Sequence, residues 1–195
     1  MSTYSTLTYL QYNNHMILHP TDSTKYFYGI VEDPPEPPGP TFDEVTIDNI
    51  TWMAKNLSID DGGSGIYHKD VDYGKGTVTE YYYTWEAAVR IANSLTEWRL
   101  PQEREIISLQ KQIANQLKST YGWTRGNGSN LTGFNAFPAG TWDPIAPDFG
   151  ETAEFWTGDE YNSTQAYRFY FNISNTMYVT YTPKTGATSV RLVKI

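Results

Sequence analysis

Apolar side chains along this chain follow two different rhythms, and the change between them divides the sequence. Trp85, Ala88, Ala92 and Leu95 recur three and four residues apart and predict a helix over about 84–95. Ile106, Leu109, Ile113 and Leu117 predict a second helix over about 101–118. Pro101 suits its first turn, and Glu103 and Glu105 suit the positive end of its dipole. Beyond residue 120 the helical period gives way to Gly, Asn, Thr and aromatics. Alternation returns at 166–173 and 176–181, and with the final 189–193 it predicts a three-stranded antiparallel meander. A further strand is predicted at 45–52. Helices early and strands late make an α+β domain.

The first thirty-odd residues read as a separate β element. Leu7, Leu10 and Tyr12 precede the turn signal Asn13-Asn14, Ile17 and Leu18 follow it, and Phe27 lies in a third strand-like run at 25–31. Three short strands cannot stand alone in water, so these six residues are expected to anchor the segment on a partner surface. Five of the eleven prolines fall within residues 33–40. Such a run favours a polyproline strut of roughly 20–25 Å. The expected organisation is therefore an anchor at 1–33, a linker at 34–41 and a domain at 42–195.

Composition narrows the function. A domain of this size buries roughly 68–70% of its extended-chain surface and can fold without staples. That is needed, because cysteine is absent and disulfides, thiolate nucleophiles and thiolate-bound metals are excluded. Six Trp, sixteen Tyr and eight Phe supply the packing material instead. A formal charge of −8 disfavours nucleic acid and anionic membrane surfaces as partners. Residues 1–6 show no basic leader and no apolar run follows, so the expectation is a processed fragment or a protein that reaches the exterior without export.

A series of small motifs runs in fixed order: Trp52-Met53-Ala54-Lys55-Asn56-Leu57, Tyr83-Thr84-Trp85, Trp98-Arg99-Leu100-Pro101, Gly133-Phe134-Asn135-Ala136-Phe137-Pro138-Ala139-Gly140, Phe155-Trp156-Thr157 and Ser189-Val190-Arg191-Leu192-Val193. Together they resemble the Fibrobacter succinogenes major paralogous domain, over roughly residues 43–195. The resemblance implies a C-type-lectin-like fold, with termini paired in one sheet, flanking helices and a long loop-rich middle. Trp52, Trp85, Trp98, Phe134 and Trp156 are motif positions and are expected in the core.

Catalytic signatures are weak. His68 is the only domain histidine, and Gly62-Gly63-Ser64-Gly65 has the wrong spacing for a nucleophile elbow. Asp70-Val71-Asp72 begins like a calcium loop, but glycine then stands at the fifth position, lysine at the sixth where the turn glycine belongs, and tyrosine at the twelfth in place of the bidentate Glu. The calcium-binding triplets of sugar-binding C-type lectins do not occur, and formylglycine-generating enzymes, which share the superfamily fold, depend on cysteines missing here. No catalytic residue, metal or cofactor is expected. Residues 155–182 are instead crowded with Tyr, Asn, Ser and Thr, an alphabet that binds adaptably. Trp142, Tyr161, Asn162, Gln165 and Tyr167 are the expected ligand-binding residues. The competing reading is that alternating Tyr and Thr are simply good strand formers.

The resulting expectation is a non-catalytic bacteriophage virion protein, a head fibre, capsid decoration or tail fibre, and the family resemblance implies a phage of a gut Bacteroidetes host. Its partners would be a capsid or tail protein through residues 1–33, further copies of itself as a dimer or trimer, and a host-surface glycan or protein. A bacterial cell-surface adhesin or fimbrial component is the alternative, and an enzyme the third.

Overall fold

A computed structural model describes residues 8–12, 15–19, 40–143, 148–174 and 176–195. The chain divides into two compact units, Met1–Pro40 and Thr41–Ile195. In the first, β1 (Thr8–Tyr12) and β2 (His15–His19) form an antiparallel hairpin with Leu10 opposite Ile17 and Tyr12 opposite His15. Leu7, Phe27, the Asn13-Asn14 turn, the third strand at 25–31 and residues 34–39 of the linker lie outside the described residues.

The second unit is α+β and mostly sheet. The strand predicted at 45–52 is in fact a hairpin, β3 (Glu44–Ile47) and β4 (Ile50–Met53). Asp48 and Asn49 both take positive φ, at 50° and 64°, the geometry that a two-residue hairpin turn demands. A long hairpin follows, β5 (Ile66–Asp72) and β6 (Thr77–Thr84), which the sequence reading did not anticipate. The Asp70-Val71-Asp72 stretch serves that hairpin: Asp72 Oδ1 accepts from Gly74 N at 2.8 Å, and Asp70 Oδ1 from Thr79 Oγ1 at 2.6 Å.

Helix α1 (Trp85–Ser94) is capped by Thr84 Oγ1, which accepts from Ala87 N, and buries Trp85, Ala88, Ile91 and Ala92. After β7 (Trp98–Arg99) the predicted second helix splits into α2 (Glu103–Gln110) and α3 (Ala114–Leu117). Ile113 is not part of an inward stripe; it is extended and 62% exposed. The break lets backbone carbonyls of Asn115, Gln116 and Lys118 accept from Ser129, Thr132 and Asn130, so the 128–132 loop completes bonds that a continuing helix would have closed.

The C-terminal meander also differs from expectation. Its strands are β8 (Ala153–Glu160), β9 (Gln165–Phe171) and β10 (Met177–Pro183), in the order β10-β9-β8. Residues 189–193 do not form its third strand, although Ser189 makes a single parallel bridge to Phe155 of β8. β11 (Ala187–Thr188) pairs β6, and β12 (Val193–Lys194) lies between β4 and β7, giving the order β3-β4-β12-β7. The pull is burial: Val190, Leu192 and Val193 are fully enclosed there. One core cluster gathers Trp52, Phe134, Phe155, Phe169 and Phe171; a second gathers Tyr83, Trp85, Ile91, Trp98 and Trp156. All five expected core aromatics are buried.

The start of α2 carries a pH-sensitive clasp. Glu105 accepts from Arg99 at 2.8 and 3.1 Å, from Gln102 N at 2.8 Å and from Arg104. Burial pushes the Glu105 carboxyl up, but these donors outweigh it and hold it at about 2, against an ordinary 4.5. A carboxyl depressed on folding adds stability above its unfolded pKa and loses it as pH falls toward the folded value. Glu105→Gln should cost about 2–3 kcal/mol at pH 7, with the gap to wild type closing between roughly pH 4.5 and 2. Urea denaturation across that range tests this; parallel wild-type and mutant profiles would contradict it.

Candidate functional site

The β8–β9 tip is built by its own polar side chains. Asn162 Oδ1 accepts from Thr164 N and Gln165 N, each at 2.9 Å, while its Nδ2 donates to Gln165 Oε1 at 2.9 Å. This local closure fixes the turn without help from the core. Lys184, just past β10, straps the tip from beside it. Its backbone N donates to Thr164 O, and its buried ammonium reaches Glu160 Oε2 at 2.8 Å and Ser163 O at 3.3 Å while lying 4.4 Å above the Trp85 ring.

On this frame three tyrosines meet. Tyr161, 46% exposed, stacks on Tyr181 with ring centres 3.8 Å apart and planes parallel. Tyr167 stands edge-on to both, at 5.6 and 6.3 Å. The Tyr181 hydroxyl beside Tyr161 raises the Tyr161 phenol pKa. Tyr167 also lines a cleft of about 320 Å³ between α2 and the meander. Ile107 (50% exposed) and Val179 (43%) give it apolar walls, and Gln110, Glu103 and Asp159 give it polar ones. Asp159 is partly committed, since its Oδ2 accepts from Glu103 N at the start of α2.

Of the five expected binding residues, Tyr161, Asn162, Gln165 and Tyr167 come together here. Trp142 belongs to a different aromatic group, stacked on Tyr67 at 5.1 Å and 5.9 Å from Tyr82, against the β5–β6 hairpin. Tyr181, Val179, Ile107 and Lys184 were missed. The meander register carries the missing signal for the first two, since Tyr181 faces Tyr167 and Val179 faces Phe169 across the ladder.

A second, inner constellation ties the motifs together. Arg191 is buried, yet its guanidinium is almost fully engaged: Nε donates to Asn56 Oδ1 at 2.8 Å, Nη1 to Met53 O at 3.1 Å and to Phe134 O, and Nη2 to Asn135 O at 2.9 Å. Asn135 takes φ 54°, and the carbonyls of Phe134 and Asn135 both reach the one cation from this bend. Asn56 Nδ2 then donates to Glu80 Oε2 at 3.2 Å, so one amide bridges a buried cation and a buried carboxylate. Burial raises the Glu80 pKa, opposed by the Asn56 hydrogen bond and the Arg191 charge. A sequence signal for Glu80 exists, as it is the lone charge inside the aromatic strand Thr-Val-Thr-Glu-Tyr-Tyr-Tyr-Thr.

Met53 and Asn56, Phe134 and Asn135, and Arg191 come from three motifs far apart in sequence, and one guanidinium joins them. The family described as the Fibrobacter succinogenes major domain matches residues 45–194. The chain belongs to this family. Membership spans nearly all of the second unit, and the hairpin of the first unit lies outside the match. Comparison with curated proteins and with solved structures returned no match.

Within the family domain, the described residues include no group of three or more His, Asp or Glu side chains placed to hold a metal ion, and no helix long and apolar enough to cross a membrane. The Glu80–Asn56–Arg191 network borders a cleft of about 270 Å³ beside Tyr81, Tyr121 and Phe137. Its chemistry is that of a cross-link, because the donors of Arg191 are spent on backbone carbonyls and Asn56. The tyrosine face is different. It offers open aromatic area, a rigid amide turn and an adjoining cleft.

Proposed function

We propose that the chain is a non-catalytic recognition protein of a bacteriophage particle, a fibre or decoration presenting a C-type-lectin-like domain to host-surface glycan. The single observation carrying the recognition role is the exposed Tyr161–Tyr181 stack with Tyr167 edge-on, flanked by Asn162 and Gln165 and opening onto the α2 cleft. Aromatic faces offer apolar area to the C–H faces of a sugar, while amides and carboxylates meet its hydroxyls. Tyrosine does this at low entropic cost, and the Lys184 strap lowers the cost further by preordering the tip.

The lectin-like assignment is supported by β4 and β12 sharing one sheet, with the helices between them in sequence and loop-rich stretches at 118–143 and 148–152. Particle attachment is supported by the N-terminal hairpin, since a two-stranded hairpin is marginal in water and gains stability from a partner. In this reading residues 1–33 seat on a capsid or tail protein and bring several heads together, where weak sites gain avidity.

The test applies the full chain to a glycan array and to host cells, beside Tyr161→Ala and Tyr181→Ala. Each variant should lose about tenfold in affinity, roughly 1.4 kcal/mol, while melting close to wild type. Wild-type binding by both variants would remove the tyrosine face from the reading. Electron microscopy of the parent particle tests attachment, and labelling of a bacterial envelope instead would favour the adhesin.

A further inference from the structure

Two seven-residue strands close sheets of this domain at an edge, β5 and β10, and they are protected very differently. β5 carries His68, Lys69, Asp70 and Asp72, the kind of charge that keeps an edge from pairing with another molecule. β10 reads Met-Tyr-Val-Thr-Tyr-Thr-Pro and carries none. Among the described residues nothing pairs with its outer edge, and Tyr178, Val179 and Tyr181 are exposed along it. On a chain of net charge −8, an uncharged strand is where a second copy can approach without like-charge repulsion.

We propose that β10 pairs antiparallel with β10 of a second copy, about a two-fold axis at Thr180. An axis normal to the sheet keeps every residue on its own face, so only residues of equal parity can meet. The register centred on Thr180 is the one that overlaps all seven residues. It sets Val179 against Tyr181 of the partner subunit, and Tyr181 against the partner subunit's Val179. An aromatic opposite a β-branched residue is among the favourable cross-strand pairs. Pro183, without an N–H, limits the pairing at each end. The product is a continuous six-stranded sheet in the order β8-β9-β10-β10-β9-β8. One strand edge buries less than a standard interface, so the dimer is reversible in the micromolar range. The interface does not depend on the glycan reading, because strand pairing uses backbone groups and Thr180 lies outside the tyrosine stack.

The test is sedimentation of the full chain across micromolar concentrations, with Thr180→Lys and Thr180→Glu. Thr180 faces Arg168 across the ladder, and Glu154 already pairs with that arginine, so either substitution is tolerated within the monomer. Each variant alone puts like charges together at the axis and should weaken the association at least about tenfold. An equimolar mixture of the two should restore it as a heterodimer that weakens with added salt. If residues 1–33 also assemble the chain, each variant should lose the β10 step while keeping that other association. Unchanged association in both variants, or a mixture no better than its components, would overturn the proposal. Glycan binding by a monomeric Thr180→Lys chain keeps this outcome separate from that of the proposed function.

Discussion

Arg191→Ala should lower the stability of the domain by about 3–5 kcal/mol, the usual result of removing one member of a buried charged pair. The loss has two parts. Carbonyls of Met53, Phe134 and Asn135 lose their donor at a buried position, and Glu80 keeps its burial without the cation that offset it. Arg191→Lys should recover little, since one ammonium cannot span the carbonyls that a planar fork reaches. Glu80→Gln on the Arg191→Met background should cost less than the two single changes added together, because the second change removes a carboxylate the first stranded. Chemical denaturation of the four proteins measures this directly. A variant lacking Arg191 within about 1 kcal/mol of wild type would show that the cation holds nothing together.

Trp156→Ala should cost at least as much, about 3–5 kcal/mol for the cavity. A further roughly 1–3 kcal/mol comes from the Tyr83 carbonyl, which accepts from the Trp156 indole N–H at 2.7 Å. The indole is one half of a reciprocal stitch. Trp85 Nε1 donates to Thr157 O at 2.9 Å, so each tryptophan bonds the backbone within two residues of the other and locks β8 to the β6–α1 junction. Trp156→Phe separates the terms by keeping most of the ring while losing the N–H, and its loss should be close to the hydrogen-bond part alone. Since a domain holds only about 5–15 kcal/mol in total, the alanine variant should be largely unfolded at modest urea concentrations. A phenylalanine variant as unstable as the alanine one would mean that the stitch, not the packing, dominates, and one close to wild type would mean the reverse.

Local periodicity and motif order carried some parts of this fold and not others. α1 was readable because Thr84 caps it and its apolar stripe is uninterrupted. α2 ran too long in the reading because Ile113 fits the helical period, while the reason for the break lies in the 128–132 loop, distant in sequence. The β3–β4 turn was missed because Asp48-Asn49 lacks the glycine that usually marks such a turn. Ser189–Val193 looked like a meander strand because alternation does not reveal which neighbour a strand will choose. The same limit applied to the candidate face. Tyr161, Asn162, Gln165 and Tyr167 share one hairpin and were legible together. Tyr181 needed the register, and Trp142 went to another sheet.

The position of β12 has a consequence for how the domain comes into being. Val193 and Lys194 occupy the slot between β4 and β7, so the last strand of the domain is an inner strand of its sheet. During synthesis, β4 and β7 therefore wait with open edges until the rest of the domain has emerged. No disulfide can hold the intermediate, and Arg191 arrives in the same final segment. Closure of the sheet and capture of the guanidinium are thus one late event, and the nascent chain depends on its cellular surroundings until then.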